Sequence, residues 1–164
     1  MLKKRMEEAL NTQINAGIWS AHFFLSLSLH FTALGWPGFS YRMQRQYEEE
    51  QRETFKMIDY VQKQEGRILL GDIVDVPVSF GNVSESLDRA MVHLVRITDS
   101  IDTLADEARN ENDKATRAML DWFILRRVEE ESAMSELISR VKNLGDGVGL
   151  YLLDRELLQK DFKA

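Results

Sequence analysis

The stretch from residue 66 to 82, GRILLGDIVDVPVSFGN, constrains what this chain can fold into more than any other feature. It scatters Gly66, Gly71, Pro77 and Gly81 among apolar residues and carries no helical period, while long periodic segments flank it on both sides. Ahead of it, Leu10, Ile14, Ile18, Ala21, Leu25 and Leu29 form one stripe of a helix over about 3–31, widened by Trp19, Phe23 and Leu27. TALGWPGFS breaks that helix, and a second follows over about 39–64. Behind the stretch, a third helix starts after Ser84 and reaches about 110, with Leu87, Met91, Leu94, Ile101, Leu104 and Ala108 as its core stripe. A fourth, capped by Asn112 or Asp113, runs to about 143 along Met119, Trp122 or Phe123, Glu130, Met134, Leu137 and Val141. Gly145 and Gly147 stop it, and a short fifth helix covers about 147–159.

Short links make helical neighbours antiparallel, whereas a long one lets the third helix cross the length of the bundle and run parallel to the second. The Ile, Leu and Val content of residues 66–82 predicts a packed connection lying against something apolar. The first helix is apolar over too wide an arc for one core face, which predicts a subunit interface.

Charge and composition exclude several function classes. A net charge of -6 argues against nucleic acid and anionic membrane, which select clustered Lys and Arg. There is no cysteine, hence no disulfide framework, thiolate metal site or cysteine nucleophile. No apolar run approaches a membrane span, and the N-terminus lacks the long apolar segment of a signal peptide, so the expected location is cytoplasmic.

One face of the second helix carries a contradiction. Met43, Tyr47, Glu50, Thr54, Met57 and Val61 share it, which aims Glu50 into the interior, with Glu53 one turn on. Glu130 likewise interrupts the apolar stripe of the fourth helix. An unpaired buried carboxylate is costly and needs a metal, a cation, a shared proton or water. Plainer readings exist: Glu53 turned to solvent beside Arg52 and Lys56, the EEE runs at 48–50 and 129–131 as solvated faces, and His22, His30 and His93 in solvent or packing roles. Arg126 and Arg127 lie about 100° apart, so only one of them can face outward.

In order and at the right separations, five segments resemble the bacterial non-haem ferritins. LNTQIN at 10–15 is similar to that family's L-N-E-Q-I-N, and WPGF at 36–39 to its L-P-G-F-like turn. EEEQRETFKMIDY at 48–60 resembles the second-helix signature, and DWFILRRVEEE at 121–131 the fourth-helix one. GDGVGLYLLDREL at 145–157 is close to the family's C-terminal G-D-x-x-G-L-x-F-L-D-R-E-L. The resemblance covers essentially the whole chain. It implies a single all-α domain over 1–164, a ferritin-like four-helix bundle over about 3–143 with a long crossover between helices 2 and 3 and a short fifth helix. It also implies a homo-oligomeric shell of twenty-four subunits storing ferric iron, and a di-iron oxidation centre inside each bundle.

Carried over position by position, that centre is mostly missing. The first-helix glutamate falls at Gly17, the third-helix glutamate at Leu94, the second-helix histidine at Glu53 and the fourth-helix glutamine at Arg127. Glu50 and Glu130 keep the remaining ligand positions, and Phe24 stands where the family's tyrosine does. A neighbouring third iron position matches Glu49, Arg126, Glu129 and Glu130. The position of the haem-ligating methionine of related bacterioferritins is Gln51, so no haem is expected; iron is the expected metal.

These replacements turn an anionic cage into an expected ion-pair cluster, with Arg127 bridging Glu50, Glu53 and Glu130 by forked hydrogen bonds into space left by Gly17. The expectation is an iron-storage shell subunit with little rapid ferroxidase activity, working alone or co-assembled with a competent ferritin, with no catalytic residue assigned. One alternative is an active ferroxidase whose rearranged site uses Glu50, Glu53 and Glu130, with Glu49 and Glu129. Another is a shell without iron.

Overall fold

The computed structural model describes residues 1–159, so the last five positions of the 1–164 span lie outside the described residues. Five helices follow in order: α1 (Lys4–Ala33), α2 (Pro37–Lys63), α3 (Val83–Asn110), α4 (Lys114–Leu144) and α5 (Val148–Gln159). The α1–α2 turn uses Gly35 at φ 83, a left-handed conformation that glycine adopts without steric cost. The third helix begins two residues earlier than Ser84 suggests. Asn82 is its N-cap: its side chain accepts from the Glu85 amide, and Glu85 reaches back to the Asn82 amide. Asp113 rather than Asn112 caps α4, accepting from the Thr116 amide.

Short links make α1–α2 and α3–α4 hairpins. The start of α1 packs with the end of α3 in a cluster including Met6, Leu10, Leu104 and Ala108, and Phe31 near the end of α1 shares a cluster with Val83 at the start of α3. Thus α3 runs antiparallel to α1 and parallel to α2, as the long crossover requires. Short α5 packs across the start of α2. Buried Asp154 accepts from the Phe39 amide at 2.9 Å, satisfying one of the orphan donors at that helix end. Gly38 permits the approach, because a Cβ there would collide with the Asp154 carbonyl.

The crossover departs from the packed apolar connection expected of it. Leu69, Leu70, Val74 and Val78 remain well exposed on the single chain, and Phe80 is the one residue of 66–82 that is buried. Its backbone is what α1 holds. Asn11 Nδ2 donates to the Arg67 carbonyl (2.8 Å) and Asn11 Oδ1 accepts from the Leu69 amide (2.6 Å). Asn15 repeats the pattern with the Leu69 carbonyl and the Gly71 amide, and Trp19 Nε1 donates to the Val74 carbonyl at 2.7 Å. Ser26 and His30 continue it to Pro77 and Gly81. Residues 11, 15 and 19 recur every four positions, so one polar edge of α1 serves the whole extended segment.

The interior divides into two apolar clusters. One holds Phe23, Met43, Leu94 and Met134, the other Ile14, Met57, Ile101 and Phe123. Along α2 and α4 the residues between these clusters are Glu50, Glu53 and Thr54, and Arg127 and Glu130, all buried. A polar layer therefore crosses the middle of the bundle.

Candidate functional site

Glu50 and Glu53 are carried by α2, and Arg126, Arg127 and Glu130 by α4, all at the level where the apolar clusters part. Their spacings of three and four residues place them on facing stripes. Arg127 is the largest fully buried side chain, at 2% exposure, which decides between the two arginines: it is the inward one. Its Nη2 donates to Glu53 Oε2 and stands 3.1 Å from Glu130 Oε2. The fork expected to span all three glutamates does not form. Glu50 Oε1 lies 3.9 Å from Nη1, too far for a hydrogen bond, and Arg127 Nε and Nη1 have no acceptor among the described residues.

Glu53 is buried rather than turned to solvent. Arg126 is also not a surface residue in the simple sense. Half-buried, it brings Nε to 3.2 Å from Glu53 and 3.3 Å from Glu130, and its other nitrogens to Glu49 (3.4 Å) and Glu129 (3.1 Å). Glu49 and Glu129 thus sit at the outer edge of the cluster, tied to it through Arg126. The sequence offered no sign of Gln46, whose Nε2 donates to Glu50 (3.1 Å) and Glu130 (2.9 Å) and joins α2 to α4. A polar residue four positions before Glu50 on the same face is the only trace it leaves in the sequence.

The place of the missing α1 side chain is taken, but not by the guanidinium. A Cβ on Gly17 would run into Thr54 Oγ1, which donates to the Glu50 carbonyl. Beside it, buried Ser20 hydrogen-bonds His93 Nε2 at 2.8 Å, and His93 stacks on Phe23 with ring centroids 4.3 Å apart. Burial, with Arg96 and Arg127 nearby, drops the His93 pKa to about 4, so the ring is neutral near pH 7. Leu94 packs in the apolar core and Phe24 is wholly buried.

Three carboxylates against two guanidiniums leave one negative charge in excess, which one proton removes. Burial raises the Glu50 pKa to about 7, with attraction to Arg127 opposing the rise and Glu130 adding to it. Burial also raises Glu53, with the neighbouring Glu130 carboxylate adding to the rise and Arg127 opposing it. Attraction between charges about 4 Å apart is worth about 4 kcal/mol at an effective dielectric of 20. Most of it offsets desolvation rather than adding net stability.

One oxygen from each of Glu50, Glu53 and Glu130 lies within 4.8 Å of the others, close enough for a single cation. Arg127 Nη2 stands among those oxygens and would have to leave first. A pair of irons needs oxygen or nitrogen donors from all four helices, and α1 and α3 present Gly17 and Leu94 at the matching positions. The donor set does not fit two irons.

Comparison with known proteins agrees with this architecture. A family model described as a ferritin-like domain matches residues 7–144. A bacterial non-heme ferritin of Bacteroides fragilis (strain 638R) is 32% identical over 160 residues, 98% of this chain and 100% of the relative. One of Staphylococcus epidermidis (strain ATCC 35984) is 29% identical over 163 residues, 99% of this chain and 98% of the relative. The open-pore ferritin of the hyperthermophilic archaeon Archaeoglobus fulgidus superposes with a TM-score of 0.93 at 34% identity, covering 96% of this chain and 98% of that one. A closed form of the same ferritin, engineered by site-directed mutagenesis, gives 0.94 over 96% of each chain. This chain, an all-α bundle with a buried charge layer at mid-height, belongs to the ferritin family of iron-storage proteins.

Proposed function

We propose that this chain is the subunit of an iron-storage shell in which a buried ion-pair cluster takes the place of the oxidation centre, so that the subunit itself oxidises ferrous iron slowly. The observation that carries the reading is the position of Arg127 Nη2 between Glu53 and Glu130, where a guanidinium supplies the positive charge that metal would otherwise bring. Iron is then cargo rather than a resident cofactor. Glu49 and Glu129, at the outer edge of the cluster, remain the carboxylates available to bind it weakly, with Glu50, Glu53 and Glu130 as remnants of the older site.

Shell formation follows from family membership, and twenty-four copies are the number we adopt. An open-pore and a closed ferritin superpose on the chain equally well, so the subunit fold by itself does not choose the packing. Co-assembly with an oxidation-competent ferritin would supply the activity that this subunit lacks. Among the described residues no helix is long and apolar enough to cross a membrane, and a cytoplasmic shell is the proposed setting. The test is a crystal soaked in ferrous iron, with metal located by anomalous scattering. Arg127 paired to Glu53 with no anomalous peak inside the bundle is the expected result. Metal among Glu50, Glu53 and Glu130, with Arg127 swung away, would overturn the reading in favour of a rearranged active site.

A further inference from the structure

A cavity of about 440 Å³ opens between α1 and α3 and reaches down to the charge layer. Its exposed lining residues, Ala16 of α1 and Arg96 of α3, mark the mouth. Its wall is apolar, formed by Ile14, Met57, Ile97, Ile101 and Phe123, and Arg127 forms part of its floor with Glu50 and Glu53. The volume exceeds by more than tenfold the roughly 30 Å³ of one water and falls in the range of small-molecule sites.

We propose that this cavity binds a small carboxylate with an apolar body, its head accepting from Arg127 at the floor. Three of the four carboxylate oxygens at the floor already meet donors. Glu53 Oε1 and Oε2 face Arg126 and Arg127, and Glu50 Oε1 takes Gln46. The donors are not used: Arg127, 98% buried, leaves both Nε and Nη1 without a hydrogen-bond acceptor among the described residues, Nη1 standing 3.9 Å from Glu50 Oε1. Unmade hydrogen bonds of a buried charged group are costly, so the ligand that gains most here brings an acceptor and no donor. With one proton on the glutamates the cluster carries no excess negative charge, so the open donors of Arg127 and the exposed Arg96 at the mouth favour an anionic head over a neutral one. Gly17 and Thr54 line the same cavity.

The test uses the full-length assembled protein, sodium octanoate and 1-octanol, read by titration calorimetry and by fluorescence of Trp19 in the cavity wall. Octanoate should bind at one molecule per chain, at least tenfold tighter than octanol. Ala16→Trp, which plugs the mouth from an exposed position, should weaken octanoate at least tenfold without changing native mass or Tm. Arg127→Lys keeps a cation beside Glu53 but removes the unpartnered donors, and should bring octanoate and octanol to equal affinity. Equal binding of the two ligands by the parent protein would overturn the carboxylate assignment. Undiminished octanoate binding by Ala16→Trp would move the ligand to another surface and overturn the site. The inference rests on Arg127 occupying the bundle, and its failure is separable from that of the proposed function: iron among the glutamates refutes the latter by anomalous scattering, whatever octanoate does.

Discussion

Arg127 decides the character of the middle of this bundle. A guanidinium on α4 reaches carboxylates on α2, so removing it leaves Glu53 and Glu130 with only the half-buried Arg126 as their cation. Arg127→Met should lower stability by roughly 3 kcal/mol, the cost of breaking a buried pair from one side, and Arg127→Met combined with Glu53→Gln should recover part of it. Denaturant titration of the three proteins checks this. Glu50 predicts a pH dependence. Its folded pKa, raised to about 7, stands above the unfolded value, so its favourable contribution is complete below about pH 4.5 and is lost as pH rises through 7. Glu50→Gln should therefore gain on the parent as pH increases from 5 to 8, by at most about 3 kcal/mol. Calorimetric Tm at the two pH values reads the difference, and an equal effect at both would contradict the shift. At this scale the sequence showed part of the picture. An acid on an apolar stripe is legible, and so is Arg127 facing it. Arg126 is not, because a long side chain that starts on the half-exposed flank curls inward to a position that helical periodicity does not register; Gln46 shares the face of Glu50, but a neutral amide there does not announce its partners.

The most specific element is α1, which performs two tasks on adjacent faces. Its apolar stripe enters both core clusters, and the edge one position along, through Asn11, Asn15 and Trp19, holds the crossover by its backbone. Asn11→Ala removes hydrogen bonds to the Arg67 carbonyl and the Leu69 amide, so it should cost about 1–2 kcal/mol. Hydrogen exchange should show the loss at the Leu69 amide first. If only global Tm fell, with that amide still protected, the ladder would not be what holds the segment. Helices, breaks and the direction of α3 were readable because period and connection length report them directly. The arrangement of the crossover was not. Its apolar composition suggests burial within the chain, yet an extended segment lying along a helix turns its peptide groups to that helix and its side chains elsewhere.

Across the whole molecule, those outward side chains indicate assembly. Leu69, Leu70, Val74 and Val78 on the crossover and Leu29 on α1 stay exposed on the single chain, apolar side chains that a contact between subunits would cover. A shell contact that covers them fits the wide apolar arc of α1, and native mass should report an assembly far above a dimer. The central claim is that the charge cluster has displaced the oxidation centre. If so, restoring donors should restore chemistry. Gly17→Glu, Glu53→His, Leu94→Glu and Arg127→Gln together should gain rapid iron oxidation, and more so with Thr54→Ala, since a Cβ at position 17 collides with Thr54 Oγ1. Absence of any gain would mean that the lost ligands are not what limits the reaction. The most direct measurement is rapid mixing of the purified parent protein with ferrous iron and oxygen, followed by absorbance. Slow oxidation with no fast phase is the expected result. A fast, oxygen-dependent phase consuming a few irons per subunit would contradict it.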